Sequence, residues 1–495
     1  MNSVPEIRIR AGNSLIARQD GDFVLYWMIA SRRTSWNFAL DRSIEWAEKL
    51  GKPLVIFEAL RAGYKWASDR MHSFVLDGMA DNARTTENTG ALYYPYVEPE
   101  PGAGDGLMVA MARHACVIVT DDFPCFFLPR MVASAAAHVS VLMEVVDSNG
   151  LLPMRQAEKA FPTAYAFRRF LQKELPGHLM ALPSADPLRK ARLPSAKPLS
   201  LEISTRWPKI PAQALNSGKH SLPAIPIDHK VPPVENRGSK SAHRLLKSFL
   251  DDKLSKYPEA RNEPSEPATS ELSPYLHFGH ISVHEVFSEI MKREEWSPEH
   301  LSVRVNGSRT GWWGTSEPAE AFLDQIVTWR ELAFNFCAVR EDYDRFDSLP
   351  EWALKTLRKH ERDERAYVYT LGQFEAATTH DPLWNAAQTQ LVREGRIHNY
   401  LRMLWGKKII EWTRTPTNAL EIMVELNNKY ALDGRDPNSY SGIFWCLGRY
   451  DRPWGPERPI FGTVRYMSSE NTARKFNVRG YIQKYSSDLL LRVKA

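Results

Sequence analysis

Phe23-Val24-Leu25-Tyr26-Trp27-Met28-Ile29-Ala30 is an unbroken apolar run carrying β-branched and aromatic side chains. Such a run reads as a strand buried on both faces, which a sheet covered by helices on each side produces. Pro53 to Ala59, Ala91 to Val97, Cys116 to Thr120 and Val139 to Val146 read the same way. Helical patterns at Asn37 to Leu50, Asp69 to Thr86 and Phe127 to His138 separate them. Alternating strand and helix predict an α/β, Rossmann-like doubly wound parallel sheet. Ligands of such sheets sit beyond the carboxyl ends of the strands, here near Ser31 to Trp36 and Thr120 to Pro124. Gly102-Ala103-Gly104-Asp105-Gly106 lacks dinucleotide-fingerprint spacing and reads as a loop.

From Pro183 to Ser241 proline, serine and lysine recur and apolar periodicity fades, as in a surface connector. The predicted organisation is an α/β domain over 1–180, a linker over 181–241 and an all-helical domain over 242–495. In the last, amphipathic stretches run over His280 to Arg293, Glu317 to Arg340, Leu383 to Thr413 and Thr417 to Tyr430.

A chain of 495 residues is too long for one hydrophobic core, which agrees with that division. Cys116, Cys125, Cys337 and Cys446 are unpaired in spacing, arguing against a disulfide framework and a zinc site and for a reducing cytoplasm. Met1 to Asp20 has no signal-peptide run and no stretch approaches a membrane span, so a soluble, unexported protein is expected. Residues 445–495 hold ten Lys or Arg against four Asp or Glu, +6 of a total of +5, leaving −1 elsewhere. Arg449, Arg452, Arg458, Arg465, Arg474, Lys475 and Arg479 interleave there with Trp454, Tyr466 and Phe476. That mixture suits phosphate contacts with base stacking, and equally a solvated basic face.

Ten of the fifteen tryptophans lie beyond residue 290. Trp405 and Trp412, seven apart, share a helix face about 10 Å apart along the axis, close enough for one oxidised indole to be refilled by the other. Core packing is the plain alternative. Thr269-Ser270-Glu271-Leu272-Ser273-Pro274, ahead of the helical run Tyr275 to Gly279, gathers hydroxyls and amides into either a phosphate seat or an ordinary cap.

Tyr257, Arg261, Thr269, Ser270, Leu272 and Ser273, continued by Pro274-Tyr275-Leu276-His277-Phe278-Gly279, resemble the flavin diphosphate segment of the photolyase and cryptochrome family. Trp384-Asn385-Ala386-Ala387-Gln388, Arg402 to Thr413 and Leu426 to Asn438 resemble class II cyclobutane-dimer photolyases. Short N-terminal segments, Tyr26-Trp27-Met28, Val119 to Pro124 and Val146 to Gly150, are similar to that class as well. The resemblance implies a reduced FAD in the helical domain, light-driven electron transfer to a pyrimidine dimer, and double-stranded DNA as partner of a monomer. It implies an ion pair of Arg402 and Asp433 beside the flavin ring, with Asn427 near flavin N5. Trp405, Trp384 and Trp412 match the route by which electrons return from the surface. Trp445 and Trp454 match the walls against which the flipped dimer stacks, Trp329 and Met403 belong to the lesion pocket, and Arg465 matches the side chain that fills the gap left in the duplex.

Phe322-Leu323-Asp324-Gln325 departs from the family's Phe-Leu-Glu-Glu run, putting Gln325 where a glutamate bonds the lesion. An amide bonds pyrimidine edges but supplies no proton and holds no charge. Photolyases of the (6-4) class carry glutamine there, together with a histidine pair; this chain has Asn399 and Met403 at those places, which favours the cyclobutane dimer. A cryptochrome-like photoreceptor is the reading from another class, and the chain's end at Ala495 counts against a signalling tail. An antenna chromophore of deazaflavin type stays open, because Ser31-Arg32-Arg33-Thr34-Ser35-Trp36 is shorter and differently charged than the class II run.

Overall fold

The structure, a computed structural model, describes residues 3–216, 224–266 and 268–486. Packing divides it into two compact units. The first comprises 1–158, 171–247 and 271–301, and the second 159–170, 248–270 and 302–495.

The first unit is built on six strands: β1 (Ile9–Ala11), β2 (Phe23–Met28), β3 (Leu54–Leu60), β4 (Leu92–Val97), β5 (Ala115–Asp121) and β6 (Met143–Val146), in the order β1-β6-β5-β2-β3-β4. Every residue of β2 and of β5 is buried, as their unbroken apolar runs require. Pairing is parallel, with Val24 opposite both Leu54 and Val117, except that β1 runs antiparallel to β6. The parallel sheet expected from sequence is present, and one short antiparallel edge strand is added to it. Ile9-Arg10-Ala11 is half-buried to exposed and too short to show a period.

The strand order reverses between β2 and β5, where a ligand is expected. The backbone N–H groups of Ile29, Ala30 and Ser31 instead donate to Asp121 Oδ2 at 2.8, 2.8 and 3.0 Å. Tyr26 OH donates to Asp121 Oδ1 at 2.8 Å. The amides at this crevice are therefore already satisfied, so a ligand there has to be held by other groups.

Residues 171–247 pack with the sheet unit, so much of the stretch read as a linker is strapped down. Trp207 is buried, its indole donating to Ala103 O at 2.9 Å and its carbonyl accepting from Tyr94 OH at 2.6 Å. Ile210 N bonds Pro95 O and Arg70 N bonds Val231 O. Isolated apolar residues make these anchors, and isolated residues have no periodicity to read. Residues 217–223 of that stretch lie outside the described residues.

Segment 271–301 also belongs to the first unit. Gly279, at φ +73°, has no room for a Cβ because the Ala30 carbonyl and Arg32 amide press against it. His280 stacks on Phe74 at 5.1 Å and an interplanar angle of 3°.

The second unit is helical. Glu317–Leu323 and Arg330–Val339 are joined without a break by a π-helical turn, Asp324–Trp329. Pro382–Glu394 and Asn399–Glu411 are separate helices, because Gly395 ends the first in the left-handed conformation. Pro416–Tyr430 and Pro437–Cys446 complete the set that carries the site. No helix among the described residues is long and apolar enough to cross a membrane.

Candidate functional site

Within the helical unit one cavity of about 460 Å³ is lined by Tyr400, Met403, Trp445, Trp454, Arg458, Arg465 and Lys475, among others. Seven of the residues singled out in the sequence, Met403, Trp445, Trp454, Arg458, Arg465, Tyr466 and Lys475, meet there. Gln325 and Trp329 do not line it. Both stand on the π-helical turn Asp324–Trp329, a distortion that often marks functional segments. Asp324 is taken up by Arg168, whose Nε donates to Oδ1 at 2.9 Å, so the carboxylate next to Gln325 is committed elsewhere.

The cavity's aromatic walls are held by charge. Arg465 lies over Trp454 at 4.1 Å and over Trp445 at 5.4 Å, and Arg452 lies over Trp454 at 4.5 Å. Asp451 ties them together: Oδ2 accepts from Arg465 Nε at 3.0 Å, and Oδ1 accepts from Trp454 Nε1 at 3.1 Å and Arg452 N at 2.9 Å. Asp451 went unnoticed in the sequence, where it reads as one acid in a basic stretch.

Arg402 and Asp433 form a bidentate pair at 3.0 and 3.2 Å, each less than a fifth exposed. Arg402 reaches from the Asn399–Glu411 helix to the turn after Pro416–Tyr430. Its Nε is buried with no protein acceptor. Asn427, one turn before that helix ends, is buried and donates to Ser439 Oγ at 2.6 Å. A fixed guanidinium with an unspent donor, a carboxylate and a buried amide fit the polar edge of a flavin ring.

Tyr257 is buried with Arg261 over its ring at 5.6 Å, and burial raises its pKa. Tyr257 also packs edge-on against Phe249 and Phe322 at 5.6 and 5.3 Å. Tyr257, Arg261, Thr269 and Ser270 cluster with the helical unit, and Leu272 and Ser273 with the sheet unit. The short helix Ser273–His277 has Leu272 at its cap position, so the hydroxyls expected to cap it do not occupy that position.

The three tryptophans come from two helices. Trp412 is the residue at which the Asn399–Glu411 helix ends, its N–H still bonding Lys408 O at 3.0 Å, seven residues on from Trp405. Trp384 bridges them: its indole N–H donates to Trp405 O at 3.0 Å, and its ring lies 6.0 Å from that of Trp412. All three are buried, and Trp405 Nε1 donates to Gln388 at 2.9 Å. Asp381 caps the helix carrying Trp384, accepting from Leu383 N and Trp384 N at 3.0 Å. Beyond Trp412 come rings not singled out in the sequence. Tyr369 and His380 lie 5.7 and 4.9 Å from Trp412, and Tyr367 stacks on His380 at 3.7 Å. Tyr367 is 47 % exposed, so aromatic contacts run unbroken from Trp384 to the surface. No spacing signal connects residues 367–380 to Trp412; only the tertiary fold does.

These features, a parallel α/β unit and a helical unit with a cationic, tryptophan-walled cavity, define the photolyase architecture. The class III photolyase of Agrobacterium tumefaciens shares the fold at a TM-score of 0.64 and 18 % identity, covering 94 % of this chain and 86 % of that one. No protein-family model matches the chain. It is 34 % identical over 480 residues to the deoxyribodipyrimidine photo-lyase of Methanothermobacter thermautotrophicus, covering 96 % of this chain and 97 % of that protein. The deoxyribodipyrimidine photo-lyases of Potorous tridactylus and Arabidopsis thaliana are 32 and 31 % identical, over 97 and 94 % of this chain and 84 and 89 % of theirs. The chain belongs to the deoxyribodipyrimidine photo-lyase family, whose enzymes are lyases of DNA repair.

Proposed function

We propose that the chain repairs cyclobutane pyrimidine dimers in double-stranded DNA with chemistry of the class II type, one monomer to a lesion. The observation that carries this is the cavity, which brings Met403, Trp445, Trp454 and Arg465 together with the phosphate-binding cations Arg458 and Lys475. A flipped dinucleotide needs both: aromatic planes for its rings and cations for its backbone. Arg465 reaches the void left in the duplex and offsets the pairing and stacking given up on base extrusion.

FAD, when bound and reduced, supplies the light-excited electron that splits the dimer. Arg402, Asp433 and Asn427 hold the flavin's polar edge, and Tyr257, Arg261, Thr269 and Ser270 hold its diphosphate side. The unspent Nε–H of Arg402 supports this assignment. Trp405, Trp384 and Trp412 pass electrons inward from solvent, and Tyr369, His380 and Tyr367 extend the path outward. Gln325, on the π-helical turn and outside the lining of that cavity, is the amide that the resemblance sets against the lesion, able to bond a pyrimidine edge without contributing a proton.

The test is blue-light repair by dithionite-reduced protein of two defined oligonucleotides, one bearing a cyclobutane thymine dimer and one a (6-4) product. Repair of the first alone supports the reading. Repair of the second replaces the lesion assignment with the one Gln325 suggests. Repair of neither with flavin bound favours a photoreceptor.

A further inference from the structure

Lys407 is fully buried, and no carboxylate lies within ion-pair reach of it among the described residues. Its Nζ donates to Cys446 O at 2.6 Å, the last carbonyl of the Pro437–Cys446 helix. It reaches there because its neighbour Gly406 lets the two helices close: a Cβ at 406 would meet Cys446 Sγ at 2.5 Å. The same Nζ lies 5.1 Å from the centroid of the Trp445 ring. Trp445 lines the cavity and Lys407 does not, so the ring beside the ammonium is a wall of a cavity that the lysine itself does not line.

A buried ammonium with one neutral acceptor is expensive, and an apolar side chain of similar length is ordinarily the more stable choice. Capping the helix end accounts for the hydrogen bond but does not need a formal charge. The charge acts on what shares its environment, which is the Trp445 ring and the space beyond it. A buried cation against the half-buried Trp445 indole holds the ring's plane, and its field reaches a ligand stacked against that ring.

We propose that Lys407 is a positioning residue that holds Trp445 as a cavity wall and, while protonated, strengthens the hold of that cavity on a flipped pyrimidine dinucleotide. This rests on the lesion-cavity reading above. The groups facing Lys407 are the Cys446 thiol, the Asp451 carboxylate and the Arg465 guanidinium. Burial brings the Lys407 pKa down to about 8 and pushes the Cys446 thiol up to about 11, so the lysine loses its charge first as pH rises. Dimer preference, the ratio of affinities for damaged and undamaged duplex, then falls as pH rises through that region.

The experiment is fluorescence anisotropy with a duplex carrying a thymine dimer and its undamaged twin, at fixed ionic strength from about pH 6.5 to about pH 9.5. It uses the full chain and two variants, Lys407→Gln and Lys407→Met. Glutamine keeps a donor for Cys446 O but carries no charge, which separates the cap from the cation. The expected result is a fall in dimer preference of about tenfold in the unmodified protein, the scale of a partly desolvated cation–π contact. The midpoint is expected near pH 8, and Lys407→Gln is expected to show the low preference at every pH. Lys407→Gln with the unmodified protein's preference and pH profile overturns the proposal and leaves a cap alone. If neither variant melts cooperatively, the unmodified protein decides: a flat profile with dimer preference intact overturns the Lys407 assignment. Absence of dimer preference at any pH sinks the cavity reading itself.

Discussion

Asp451→Asn isolates the charge that holds the cavity's cations in place. The carboxylate's side chain is 9 % exposed and that of its partner Arg465 is 38 % exposed, so the pair contributes about 0.5–1 kcal/mol to folding. Asparagine keeps an oxygen for the Trp454 and Arg452 N–H groups, so the fold survives with a loss of about 1 kcal/mol. Binding changes more. Freed of its counter-charge, Arg465 becomes available to a phosphate, and each added phosphate contact steepens the salt dependence of log K by about 0.9. At about 0.1 M salt that makes undamaged duplex bind roughly eightfold tighter. Trp454, no longer pinned together with Arg465, is a poorer wall, and dimer preference falls about fivefold for a loss of about 1 kcal/mol. The assay is fluorescence anisotropy on damaged and undamaged duplexes from about 50 to about 300 mM KCl. An undamaged-duplex slope unchanged to within about 0.3, or an unchanged dimer preference, refutes the assignment of Asp451 as the organiser of Arg465 and Trp454.

Trp405→Phe should stop photoreduction of oxidised FAD while pre-reduced protein still repairs, and Tyr369→Phe should shorten the lifetime of the separated charge; transient absorption reads both, and unchanged photoreduction removes Trp405 from the relay. Gln325→Glu should raise the quantum yield of cyclobutane repair, whereas an equal or lower yield shows a pocket tuned for the amide. His280 is buried beside Arg32 and Arg33, and burial lowers its pKa to about 3, so it folds neutral. The unfolded chain takes up its proton below about pH 6.5, and stability is therefore lost as pH falls from there toward 3, by about 1.4 kcal/mol per pH unit for such a histidine. His280→Phe, which preserves the stack on Phe74, should lessen the pH dependence of urea-unfolding stability between about pH 6 and 4, the remainder coming from the buried His72 and His398, and an unchanged slope refutes the assignment.

How much of this was legible depended on whether burial left a pattern. β2 and β5 were readable because both faces are covered and the apolar run is continuous, whereas β1 has three residues and one covered side. The stretch 383–413 read as one helix because its apolar residues recur across Gly395, yet a left-handed glycine outweighs the period and swings Trp384 onto a separate helix. That break is what sets Trp384 beside Trp412, a proximity that no spacing encodes. Arg402 and Asp433 are 31 residues apart, and resemblance rather than chemistry paired them before the fold did.

Lys407 shows the limit most sharply. Between Trp405 and Trp412 a lysine reads as part of a solvated face, because lysine is almost never fully buried. Its burial follows from Gly406, whose missing side chain admits a second helix and carries Cys446 and Trp445 over the ammonium. Hydrophobic periodicity reports which residues a fold buries to gain stability. A charge buried against that gain is invisible to the same pattern, so polar groups at a functional site are the ones sequence periodicity is bound to misplace. Asp451 and Lys407 are each of this kind, and each became recognisable only when its partners were seen in three dimensions.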